Sequence, residues 1–321
     1  MPASAAWAAV GPADWSRPVK YRDGELRAAL LSWWREWEIH TADARIGHGP
    51  RDWPRELCHP SRRSRHHPPE GDHHSMARPG SATPLVLNLW KAGLSSVPAE
   101  VWRRDDWEVL ILADNTLAEI PAALGRLRAL HTLDLGHNAL TALPDEIGEL
   151  TGLTRFLYLH DNRLTALPDS LGRLDRLGYL NVGENPLGAL PAALGRMARL
   201  VELRAQRAEL TSLPDTLGRL GRLRELWLGG NALTALPASM AALRELRVLE
   251  LRDNAFPGVP EALRTLPLLR RVDLRGNRIE VLPSWIARLP SLEKLDLRWN
   301  SMDDGAEAVS ALRRRGCVVL T

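Results

Sequence analysis

A chain of 321 residues with 45% hydrophobic side chains is long enough for one or two cored domains, and a formal charge of +3 is too small to demand a polyanionic partner. Two cysteines, Cys58 and Cys317, lie far apart in sequence and argue against a disulfide framework. The opening MPASAAWAAV has neither a basic leader nor a long apolar run, so no secretory signal or membrane span is predicted and the expected location is cytoplasmic.

Residues 1–82 are dense in Pro, Arg and His, hold six of the twelve tryptophans, and end in HPSRRSRHHPPEGDHHSMARPGSATP. This composition predicts a mostly disordered segment. Within it, Asp23 to His40 reads as one helix, with Asp23 as N-cap and Leu26, Leu30, Trp33, Trp34 and Trp37 at helical spacing. Three readings of the segment stay open: the helix covers the open end of the following domain, it docks on a partner, or the segment is no part of the native product and Met76 is a compact alternative start. The run Arg62 to His67 lacks interleaved aromatics and metal-ligand spacing, so it reads as a solvated tail.

From residue 83 the chain is periodic. Leu130 to Leu150, LHTLDLGHNALTALPDEIGEL, is the type unit, and its asparagine recurs at Asn115, Asn138, Asn162, Asn185, Asn231, Asn254, Asn277 and Asn300. The beat is 23 residues with one exception, the mark of a stacked repeat array. L-x-L alternation turns Leu133 and Leu135 inward and Thr132, Asp134 and Gly136 outward. Leu140, Leu143, Ile147 and Leu150 close the same core from a return path that Pro144 and Gly148 keep from becoming one long helix. Burying about seven apolar side chains is grossly worth ~10–20 kcal/mol. Ordering one unit's backbone costs at least as much, at ~1–2 kcal/mol per residue. A lone unit therefore does not fold, and each needs both neighbours.

The departures are informative. The first unit carries Ala92 in place of the asparagine, and the second opens with Trp107 in place of leucine. The fourth has one extra residue near Phe156, which predicts a bulge or a widened corner. The sixth has Ala205 and Ala208 at a core leucine and the asparagine site, where looser packing is expected. Residues 303–321 read as a helix and strand cap, with Asp304 and Glu307 as a capping box, Val309 and Leu312 inward and Gly316 as the stop.

These residues carry a resemblance. The unit resembles the leucine-rich repeat of the 23-residue L-P-x-x-L type, similar to the repeats of plant intracellular Ras-group-related, animal cell-polarity and bacterial leucine-rich repeat proteins. The resemblance implies an α/β fold, a right-handed horseshoe solenoid with a parallel concave sheet of about ten strands, ten repeats over 83–302, and the binding of other macromolecules. The Arg-over-Lys bias, with lysine only at Lys20, Lys91 and Lys294, resembles proteins of high-GC bacterial genomes.

No phosphate loop, H-E-x-x-H, G-x-S-x-G or kinase motif set is present, so no enzymatic activity, cofactor or metal is predicted. His137 and His160 fall as neighbours across the ladder but show no carboxylate or cysteine partner in sequence, and read as surface residues. The outward face of the sheet holds the remaining information. Tyr158, His160, Tyr179, Arg204 and Trp227 gather interface-type residues at its centre. Glu250, Asp273 and Asp296 stack in one column and Arg252, Arg275 and Arg298 in another, open either to self-neutralisation or to a partner. The expected function is a monomeric, cytoplasmic protein-binding scaffold, of the kind used in signalling, engaging neither nucleic acid nor membrane. The alternative is a targeting subunit or effector that recruits an enzyme, with the Trp-rich helix as second contact.

Overall fold

The computed structural model describes residues 84–302 and 307–321. The Asp23 to His40 helix, the Met76 start, the basic and histidine run and Asp304 of the capping box lie outside the described residues. Among the described residues, eleven three-residue strands form one parallel sheet in sequence order. They are β1 (Val86–Asn88), β2 (Val109–Ile111), β3 (Thr132–Asp134), β4 (Phe156–Tyr158), β5 (Tyr179–Asn181), β6 (Glu202–Arg204), β7 (Glu225–Trp227), β8 (Val248–Glu250), β9 (Arg271–Asp273), β10 (Lys294–Asp296) and β11 (Val318–Leu320).

Each of the first nine strands returns through a short 3-10 turn, such as Asp145–Glu149 or Asp215–Arg219, opened by a proline whose fixed φ presets the turn. The strand centres Leu110, Leu133, Leu157, Leu180, Leu203, Leu226 and Leu249 are fully buried, as are Leu124, Ile147, Leu171 and Leu194 from the return path. Gly148 shows why glycine recurs in that path. A Cβ there would lie 2.4 Å from the Ser170 carbonyl oxygen of the next turn, so the turns stack at backbone contact.

The asparagines tie one turn to the next. Asn162 Oδ1 accepts the Leu140 N–H at 3.0 Å, while its Nδ2 donates to the carbonyls of Leu135 at 2.9 Å and Leu159 at 3.0 Å. The other seven repeat this arrangement, each pairing backbone groups of its own turn and of the preceding one. The chain leaves the strand just before the asparagine in a left-handed conformation, seen at Asp114, His137, Asp161, Glu184 and Asp253.

The extra residue of the fourth unit sits in the corner. Phe156, Leu157 and Tyr158 pair with Thr132, Leu133 and Asp134 without a break, so the widened corner holds and the strand carries no bulge. At the sixth unit the missing asparagine is replaced by backbone. Leu187 N–H turns to the Asn185 carbonyl at 2.8 Å, Ala189 N–H to Leu187 at 2.7 Å, and Gly188, at φ 67°, donates to Ala208 at 3.1 Å. Ala205 and Ala208 are themselves fully buried.

The stack ends in helix α1 (Glu307–Arg314), which buries Ala308, Val309 and Leu312 against the Ser284–Arg288 turn, and in β11. Gly316, at φ 82°, stops the helix, and Cys317 N–H closes back on the Leu312 carbonyl at 3.1 Å. Arg315 donates to the carbonyls of Ala287 and Leu289, so the last turn's charge pins the cap to the repeat before it.

Asn254→Ala leaves the Leu233 N–H and the carbonyls of Leu228 and Leu251 short of partners. A loss of about 2–4 kcal/mol is expected in urea unfolding of the full chain, since each stranded group costs about 1–3 kcal/mol. A loss near zero contradicts the role given to the ladder.

Candidate functional site

The outward columns follow the register. Phe156 faces Tyr179, Tyr179 faces Glu202, and Glu202 faces Glu225; in the next column Tyr158 faces Asn181, then Arg204, then Trp227. Successive parallel strands lie about 4.8 Å apart, so these side chains touch their column neighbours.

An aromatic group forms over β4 and β5. Phe156 stacks on Tyr158 at 5.9 Å between centroids and meets Tyr179 edge-on at 5.6 Å, while Tyr158 and Tyr179 tilt together at 5.0 Å. Arg204 continues the group, its guanidinium 4.9 Å from the Trp227 ring and 5.8 Å from Tyr179. Glu202 Oε1 fixes it by accepting its Nε–H at 2.6 Å. Trp227 donates its indole N–H to Glu225 Oε2 at 3.2 Å. Two carboxylates thus oppose each other across β6 and β7 with one arginine between them. Burial, then the Glu202 charge, pushes Glu225 up to about 7.

Facing outward does not spare these side chains from burial. Tyr179 is only 6% exposed, and Val86, Val109, Asp134, Glu250 and Asp296 are buried as well. The columns are crowded enough to cover their own members, so these side chains hold structure as well as surface. Tyr158, His160, Arg204 and Trp227 keep part of their area in solvent.

The charged columns neutralise along each strand. Glu250 meets Arg252 at 3.0 Å, Asp273 meets Arg275 at 2.6 Å, and Asp296 meets Arg298 at 2.7 Å, with Arg275 also 3.5 Å from Asp296. Arg252 and Arg298 keep over a third of their side chains exposed. Trp299, 72% exposed beside Arg275 and Arg298, belongs with this end of the sheet. The column alignment does not flag it, because it sits at the left-handed corner before Asn300.

Three further residues were legible only as column members. Phe156 completes the aromatic group, and Glu202 and Glu225 hold Arg204 and Trp227. The carboxylate that the sequence does not pair with His137 is Asp161, one turn on, whose Oδ2 lies 2.5 Å from His137 Nδ1.

Glu225 gives a pH expectation of definite sign. Its folded pKa lies above the unfolded value, so between about 4.5 and about 7 the folded chain holds the extra proton and stability falls as pH rises. Glu225→Gln should therefore gain stability relative to wild type on going from pH 5 to pH 8, as read by urea midpoints. A difference independent of pH contradicts the assignment.

Comparison with known proteins agrees with this architecture. A model described as leucine-rich repeat region matches residues 154–252, and two further leucine-rich repeat models match 268–289 and 288–310. No curated protein matches the sequence significantly. A leucine-rich repeat protein of Leptospira interrogans is 26% identical with a TM-score of 0.58, over 70% of this chain and 69% of that one. The ectodomain of the Arabidopsis thaliana receptor kinase GASSHO1/SCHENGEN3 is 31% identical with a TM-score of 0.61, over 68% of this chain but only 28% of the receptor chain. A Listeria monocytogenes internalin, 22% identical with a TM-score of 0.60 over 67% of this chain and 61% of its own, shares the fold. The chain belongs to the leucine-rich repeat proteins.

Proposed function

We propose that the protein is a non-enzymatic recognition module that binds a protein partner on the outward face of its sheet, anchored on Tyr158, Tyr179, Arg204 and Trp227. The observation that carries this reading is the fixed position of Arg204. Its guanidinium lies against Tyr179 and Trp227 and is tied by Nε to Glu202, so little side-chain freedom is left to lose on binding. Tryptophan, tyrosine and arginine held in this way are the residue types that dominate interface energetics.

His160 closes one end of the anchor beside Tyr158, at 6.0 Å between rings. Gly183 and Gly229 let the next strand close over the last column: a Cβ at 183 would stand 3.0 Å from the Gln206 carbonyl oxygen, and one at 229 would stand 2.4 Å from the Glu250 carboxylate. Arg252, Arg275 and Arg298 form the rim at the other end; paired with their own carboxylates, they steer a partner more than they hold it. The Arabidopsis ectodomain was determined in complex with Casparian strip integrity factor 2, which supports partner binding as the use of such a solenoid. Among the described residues no helix is long and apolar enough to cross a membrane.

Affinity capture with wild-type and Trp227→Ala chains, followed by mass spectrometry, tests the reading. The partner is the protein retained by the first and lost by the second, with affinity reduced about 30-fold or more, the level of a 2 kcal/mol anchor. Identical captures from both baits remove the proposal. Tyr179→Ala is a poorer probe, because this buried ring also supports the fold. Arg252→Gln with Arg275→Gln and Arg298→Gln is expected to slow association and flatten its salt dependence while leaving dissociation nearly unchanged, as read by surface plasmon resonance.

A further inference from the structure

Beside the aromatic anchor, at the ends of β3 and β4, lies a polar cluster of which the recognition reading uses only His160. His137 and His160 bring their Nε2 atoms to 3.2 Å, with ring planes at 78° and centroids 4.6 Å apart. Asp161 Oδ2, 2.5 Å from His137 Nδ1, accepts a proton there, so a neutral His137 presents a bare Nε2 lone pair toward His160.

A head-on N–H···N bond sets both ring axes on the line between the nitrogens. The observed centroids are too close for that, so the ring axes are bent away from the line. Two imidazole ligands of one ion, each bound at about 2.0–2.1 Å, also bend away from this line and leave their nitrogens about 3 Å apart.

The second histidine is held differently. His160 Nδ1 is sealed from solvent and has no bond partner. The point where a Gly136 Cβ would stand is 2.9 Å from that nitrogen, so the ring packs directly over the glycine. A side chain at position 136 would collide with the ring, 2.5 Å away at Cε1; glycine lets it lie over the strand end. His137 therefore has a carboxylate behind its Nδ1, the arrangement that fixes the tautomer and raises the basicity of a metal-ligating imidazole, while His160 is held by packing. Among the described residues no third histidine, cysteine or carboxylate completes a ligand group, which leaves the remaining positions to water.

We propose that His137 and His160 form an open site for a borderline divalent transition ion of the Zn2+, Ni2+ or Cu2+ class, bound through both Nε2 atoms with Asp161 behind His137. Imidazole ligands select this class over Mg2+ and Ca2+, which take oxygen donors. No covalent or redox step is involved: the ion binds the two lone pairs and displaces at most the proton shared between them. The site adjoins Tyr158 and stands whether or not the anchor binds a protein.

The test is equilibrium dialysis of the full chain with Zn2+, and separately with Mg2+, for wild type, the His137→Asn/His160→Asn double variant, and Asp161→Asn. Histidines of residues 1–82 contribute the same background to every variant, so the readout is the difference between them. The double variant is expected to lose one equivalent of Zn2+, Asp161→Asn to bind that equivalent 10- to 100-fold more weakly, and Mg2+ to show no difference. Circular dichroism confirms that each variant retains its fold. If a folded double variant keeps the wild-type Zn2+ stoichiometry and affinity, the site does not exist. An undiminished affinity in Asp161→Asn removes the supporting role of that carboxylate. Should the double variant fail to fold, Zn2+-induced change in the imidazole nitrogen shifts of wild-type His137 and His160 decides: shifts at both nitrogens support the site, and their absence overturns it.

Discussion

The side-chain amide of the repeat asparagine is the interaction on which the rest of the molecule depends. A three-residue strand that turns back through a 3-10 segment leaves carbonyls and N–H groups at the corner that no ladder can reach. One buried amide, an acceptor on one side and two donors on the other, satisfies groups from two consecutive turns at once. It closes its own corner and fixes the offset to the preceding one, so the strands remain in register over all eleven rungs. Where Ala208 replaces it, the preceding corner tightens into backbone bonds of its own and Asn231 accepts from both Ala208 and Leu210. The ladder tolerates one missing rung because both neighbours keep theirs.

Register has a consequence for function. Because each outward residue stands directly beside its counterpart one repeat away, chemistry on this face is organised in columns, and column neighbours interact whether or not a partner is bound. The acidic and basic columns of β8 to β10 neutralise along each strand. Over β4 to β7 the composition differs: aromatic rings, one arginine and two carboxylates share the face. That mixture is the chemical basis of the proposal that recognition is placed there.

How much of this was legible in the sequence varies with the distance over which each feature is determined. The 23-residue beat, the inward leucines, the role of asparagine and the terminal cap all follow from spacing within one unit, and the structure shows each of them. The extra residue near Phe156 was readable as an insertion. Its placement in the corner was not, because a bulge and a widened corner differ only in which backbone bonds survive. Tyr158, Tyr179, Arg204 and Trp227 could be aligned as column members, yet the near-complete burial of Tyr179 depends on how Phe156, Tyr158 and Arg204 crowd over it.

The sequence by itself determined the solenoid, since a lone repeat cannot bury enough apolar surface to offset its ordering entropy and a fixed period admits only stacking. Tertiary structure alone decided which polar groups meet. Asp161 reaches His137, Asp134 turns its carboxylate toward the Gly136 gap, and Glu202 rather than Glu225 takes Arg204. Those pairings depend on rotamers and on distances of a few ångströms, whether the residues are neighbours on one strand or lie a repeat apart. Spacing specifies which rung a residue occupies but carries no information on where, within that rung, its side chain comes to rest.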